Sequence, residues 1–270
     1  MNTVLTIARA SITEHVRRKL VLFFGVLVAM AAVGLIYVSL SDDLTSTLLG
    51  TAVGIATFFS LTLLQGLATL AAVAVSMNNI GRPFADGEAM LILARPVARW
   101  QYPLGRLLGS AALVVALCLL LVVLLQGINL IEGRNLGMDL WGHWATQAFN
   151  LVLLVAITTL MSALFGNPIL AAFVAFFVYA SSNFVSTLYL LVDTGRVGGV
   201  PGAVVTALWY LTPKTLISPL AMERIAEGGN LVGASTMLLI PSTGARVAWS
   251  LAYLAATVAL TFVLVQRKEL

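Results

Sequence analysis

"LLGSAALVVALCLLLVVLLQGINLI", residues 107–131, decides how this chain is read. Twenty-five residues pass without a charge. A membrane span takes about 20 apolar residues, so the run is long enough to cross. Composition agrees: of 270 residues, 60% are hydrophobic and 10% charged. A soluble domain has roughly 25% charged residues. Too few charges remain here to cover a water-facing surface. The chain reads as an all-α integral membrane protein, one domain over residues 1–270, with no room for a second soluble domain.

Outward from that run lie five more, at 20–40, 48–77, 145–165, 168–192 and 247–265, giving six expected spans. The 48–77 run has 30 residues. As a helix it is about 45 Å long, more than the hydrocarbon thickness, so it should tilt or protrude. The 20–40 run follows Arg17, Arg18 and Lys19, as a cleaved signal would, but its 21 residues exceed a signal core, which is about 7–15. It reads as a retained span. Before it, Leu5, Ala8, Ile12 and Val16 recur at helical spacing while Arg9, Thr13 and Arg17 fall on other faces. That pattern predicts an amphipathic helix over residues 1–19, lying in the interface. In the outer segment 193–246, the apolar pieces 204–211 and 231–240 are too short to cross, and Pro213 and Pro219 break helices. Re-entrant or interfacial outer helices are expected there.

Basic residues orient the spans. With the N-terminus inside, Arg9, Arg17, Arg18, Lys19, Arg82, Arg95, Arg99, Arg106, Arg267 and Lys268 fall on the cytoplasmic side, and Arg134, Arg196, Lys214, Arg224 and Arg246 outside. The ten-to-five split favours both termini in the cytoplasm of a plasma-membrane protein.

Chemistry-bearing patterns are few. Cys118 is alone, so no internal disulfide forms. His15 and His143 have no close partners in sequence, and neither a metal site nor a catalytic constellation is expected. No GxxxxGK[ST] loop cradles a nucleotide, and no basic arm suggests nucleic acid. The spans hold almost no ionisable residues, which speaks against an ion-coupled carrier. What remains is neutral. Thr51, Thr62, Gln65, Thr69 and Ser76 form one stripe of the second span, and Tyr179, Asn183 and Ser186 share a face of the fifth. Such residues are either helix–helix glue or a pathway lining. Gly50–Gly54 and Gly105–Gly109 have GxxxG spacing.

Between the second and third spans runs "IGRPFADGEAMLILARPVARWQYPLGRLLG", residues 80–109. A short helix is expected over 84–93, ended by Pro96. Arg95, Arg99 and Arg106 suit the headgroups, with Trp100 and Tyr102 as aromatic anchors. A basic interfacial loop accounts for these residues but not for the preceding "FADGEAML".

As an ordered set, Asp86-Gly87-Glu88, Leu91-Ile92-Leu93, Ala94-Arg95-Pro96-Val97-Ala98-Arg99-Trp100 and Gly105/Gly109 resemble the permease subunits of ABC-2 type exporters. Where that family usually has Thr or Ser after the acidic-glycine pair, this chain has Glu88. The resemblance implies a permease that pairs with a second permease protomer, a homodimer in preference to a heterodimer, above two cytoplasmic ATPase subunits. ATP and magnesium would sit on those subunits, and this chain would bind no cofactor and catalyse nothing. It further implies that Phe84, Asp86, Gly87 and Glu88 touch the ATPase, with Glu14 and Arg17 nearby, and that Thr62, Gln65, Thr69, Asn183 and Ser186 line a route at the two-fold axis. A non-transporting scaffold of the same fold and a secondary carrier are the alternatives.

Overall fold

A computed structural model describes residues 3–17, 23–27, 29–30, 65–87, 89, 98–131, 137–193, 195–196, 198–216 and 243–267. Among the described residues there is no strand. The named helices are α1 (Thr3–Arg17), α2 (Gly81–Ala85), α3 (Gln101–Ile131), α4 (Gly137–Leu164), α5 (Pro168–Asp193), α6 (Gly199–Leu211) and α7 (Thr243–Arg267). Residues 65–76 are also helical and lead into α2.

Local chemistry sets several boundaries. Asn167 caps α5: its side-chain Oδ1 accepts from the backbone N–H groups of Ile169 (2.9 Å) and Leu170 (3.4 Å). Pro168 then takes the first helical position, where its missing N–H costs nothing. The three-residue link 165–167 therefore folds α4 back onto α5. At the far end of α6, Thr212 turns extended ahead of Pro213, as a residue before proline must.

Three helices are long and apolar enough to cross a membrane: Gln101–Leu124, Leu140–Leu164 and Arg246–Arg267. They are helices of a membrane protein. They contain or overlap the expected third, fourth and sixth runs. α5 coincides with the fifth, and its Pro168–Ser182 part is a shorter apolar helix. Most of the first two expected runs lies outside the described residues. The helices begin earlier than hydropathy suggested, at Gln101 rather than 107 and at Gly137 rather than 145. Hydropathy marks where hydrocarbon would lie; backbone hydrogen bonding continues past it through Tyr102, Trp141 and His143.

The expected helix over 84–93 needs correction. α2 starts three residues earlier, at Gly81, and ends at Ala85. Asp86 is its C-cap, and Gly87 turns to a positive φ of 75°. Only glycine enters that region freely, so the chain breaks direction there. Ala89 is helical again, and residues 90–97 lie outside those described.

α4 is the central post. It packs on α3, α5, α7 and α2. Its 18-residue apolar window is 78% buried, against 17% for α7. The main core joins Ala72 and Val75 to Val114, Cys118 and Leu121 of α3 and to Leu151, Leu154 and Val155 of α4. Outward faces stay apolar: Ile169, Phe173, Phe177 and Phe184 of α5 are each at least 65% exposed. Water would not tolerate that surface, whereas lipid would.

Candidate functional site

The short α2 stands on a buried polar base. Asn79 is fully buried, and its amide does two jobs. Its Nδ2 donates to Thr159 Oγ1 of α4 (2.9 Å), and its Oδ1 accepts from Ser110 Oγ of α3 (2.8 Å). One turn further along α4, Ser162 Oγ donates to the Met77 carbonyl (2.8 Å). The same oxygen accepts from the Ile80 and Gly81 N–H groups (3.3 and 3.0 Å). Thr159 in turn donates to the Val155 carbonyl. Every member of this knot is neutral and paired, the condition under which a buried network stabilises. A Cβ at Gly81 would lie 2.6 Å from the Ser162 carbonyl oxygen, so α2 sits directly on α4.

On that base α2 presents exposed charge. Arg82 Nε pairs with Asp86 Oδ2 at 3.2 Å, both side chains about half exposed. Such a pair contributes little to stability and leaves both groups open to a partner. Phe84 is half-buried and meets Tyr102 edge-on, ring centroids 6.0 Å apart. Ile80, with Phe84 beside it, packs on Ala163 of α4 and Val265 of α7. Glu88 lies outside the described residues.

α1 lies against the start of α3. Gly105 and Gly109 are the groove: a Cβ on Gly105 would come within 2.7 Å of Ile7 Cβ, and one on Gly109 within 2.7 Å of the Ala8 carbonyl oxygen. The GxxxG pair therefore admits α1. Beside it, Glu14 and Arg106 form an ion pair, and Arg106 Nε donates to Tyr102 Oη at 3.4 Å. Tyr102 is 0% and Arg106 5% exposed. Both of these expected headgroup residues face protein, where their polar ends find partners. Arg99 and Trp100 are exposed; Arg99 Nη1 donates to the Gln266 carbonyl near the end of α7 (3.4 Å). Arg17 is exposed, and Arg95 lies outside the described residues.

Of the neutral stripe, Gln65 is exposed, Thr69 is half-buried with Oγ1 donating to the Gln65 carbonyl (2.7 Å), and Ser76 is fully buried, donating to the Ala72 carbonyl. Thr51 and Thr62 lie outside the described residues, as do the side chains of Asn183 and Ser186, whose backbone belongs to α5.

Midway along α4, the stretch 212–216 is held by three helices. Asn150 of α4 pairs both ways with the Leu216 backbone, Nδ2 to the carbonyl and N–H to Oδ1, each 2.8 Å. Ser182 of α5 donates to the Pro213 carbonyl, and Ser250 of α7 to the Lys214 carbonyl. The Lys214 side chain turns back onto α6. Its Nζ donates to the Trp209 carbonyl and lies 3.9 Å from the Trp209 ring centroid. The ring itself stacks on Tyr189 at 4.4 Å. A cation at a helix C-terminus and over an indole face is favourable on both counts. Burial nonetheless pushes the Lys214 ammonium down to about 8, because the charged form loses water.

Sequence reasoning passed over Asn79, Ser110, Asn150, Thr159, Ser162, Ser182 and Ser250. Their signal was present: an isolated amide or hydroxyl in an apolar run needs a partner. Which partner is a matter of tertiary packing. The chain matches no known family model and no curated protein.

Proposed function

We propose that this chain is the membrane subunit of an ATP-driven transporter whose ATPase is a separate cytoplasmic protein. One observation carries the reading: a five-residue helix with an exposed Arg82–Asp86 pair, mounted on a buried polar base at one end of an apolar bundle. A solvated loop needs no such foundation, whereas a docking element that receives force does. The sequence resemblance supplies the rest of the reading. Two copies of the chain pair in the plasma membrane through six spans each, with both termini cytoplasmic, and two ATPase subunits that hold ATP and magnesium bind beneath. Phe84, Asp86, Gly87 and Glu88 form the contact, and Arg17 on the outer face of α1 lies at its edge. Glu14 belongs to this region through Arg106, holding α1 in place.

The test is copurification from the native membrane with an ATP-binding cassette protein, in the wild type and in the double variant Asp86→Lys/Glu88→Lys. Asp86 is exposed on this element and Glu88 belongs to the contact proposed for it, so charge reversal should abolish capture of the ATPase while leaving the thermal unfolding midpoint unchanged. Undiminished capture by the double variant, or no ATPase with the wild type, would sink the proposal.

A further inference from the structure

The two polar clusters stand on the same helix. Thr159 and Ser162 hold the base of α2; Asn150 holds the 212–216 stretch. Asn150 and Ser162 are 12 residues apart on α4, about 18 Å along an α-helix. Between them α4 is unbroken and close-packed: Leu153, Leu154, Val155, Ala156 and Thr158 are each 0% exposed. Buried, well-packed helix does not bend to absorb a displacement. Both attachments are backbone clamps. Ser162 grips the N–H groups of Ile80 and Gly81 and the Met77 carbonyl, and Asn150 grips both polar groups of Leu216. Neither clamp can slide without leaving buried backbone groups unpaired.

We propose that the C-terminal half of α4 is a rigid connecting rod that couples the α2 element, near its end, to the 212–216 stretch docked at its midpoint, with Asn79, Ser162 and Asn150 as positioning residues. Displacing α2 moves α4, and α4 carries Leu216, and with it Lys214 and the C-terminal end of α6. Coupling is reciprocal: loosening either clamp loosens the other. The functional sense of this link, that events at an ATPase-docking element reach the outer segment, rests on the reading above. The link itself does not.

Amide hydrogen exchange on the full-length protein in lipid nanodiscs tests the link without any partner. Ser162→Ala should raise exchange roughly tenfold in residues 77–87, the scale of one lost buried hydrogen bond. It should also raise exchange in residues 211–216, while the middle of α3 stays protected. Asn150→Leu should do the reverse, loosening 211–216 directly and 77–87 at a distance. Should Ser162→Ala fail to fold, Thr159→Val is the near-isosteric substitute, since it removes the acceptor of the Asn79 amide and, besides that, only a bond within α4 to the Val155 carbonyl. Acceleration confined to the mutated end, or spread uniformly through α3, overturns the proposal, as does no change at either end. Copurification of the wild-type chain with its ATPase is read separately, so loss of the docking reading and loss of the rod are distinguishable.

Discussion

Lys214 shows how one residue can bind and strain a fold at once. Its ammonium closes the end of α6 through the Trp209 carbonyl and ring, yet burial favours losing the proton. A drop from 10.5 to about 8 corresponds to about 3 kcal/mol of burial cost. Below pH 8 the lysine is charged both folded and unfolded, and that cost is present in full. Between about 8 and 10.5 the unfolded chain holds the proton more tightly, so stability rises with pH. The thermal midpoint of the wild type should therefore gain on that of Lys214→Met between pH 7 and pH 10. Tryptophan emission of the wild type should titrate near pH 8, and this step should vanish in Lys214→Met. A wild type that loses ground to the variant as pH rises would contradict this account.

Among the elements, α1 and α2 are attached to the bundle by different physics. α2 is bonded through neutral polar groups, whereas α1 fits a groove of missing side chains and adds one ion pair. Gly109→Val should displace α1, because the new methyl groups have no space against Ala8 and Ser11; overpacking of this kind costs about 1–3 kcal/mol. A cysteine at Ser11, 1% exposed in the native fold, should then react with a maleimide in the Gly109→Val background and stay protected without it. For the Glu14–Arg106 pair, Glu14→Ala alone should cost more than Glu14→Ala with Arg106→Met, since the single change leaves a buried cation behind, a penalty of about 3–5 kcal/mol. Thermal midpoints of the three proteins decide it. The contrast also explains what was legible in sequence. Helix positions followed from apolar runs, because burial of hydrocarbon is a property of local composition. The amphipathic pattern of residues 3–17 and the GxxxG pair were visible too, but not that one receives the other. The helix break at Gly87 was hidden by the leucine-rich residues after it. The Asn79–Ser162 knot was hidden because its bonds between elements join residues 31 to 85 apart in sequence.

For the molecule as a whole, the six-span reading predicts sidedness. Single cysteines at Asp43 and Glu88 should divide in intact cells: the first reacts with an impermeant maleimide and the second does not. Labelling at position 88 alone would invert the topology. The pairing reading predicts that Gln65, exposed on the isolated chain, is covered by a second copy, since a lipid-facing amide is costly. Cysteines there should cross-link between copies, and Gln65→Leu should leave dimers intact while altering substrate-stimulated ATP hydrolysis by the assembled transporter. The way α1 seats on Gly105 and Gly109 also carries a meaning for synthesis. α1 leaves the ribosome before α3, and its seat is encoded about 100 residues later. At about 5–20 residues per second it waits 5–20 s without its partner. During that wait its apolar face lacks the α3 groove and can rest on the lipid surface, so α1 can meet the membrane before the helix that will hold it exists.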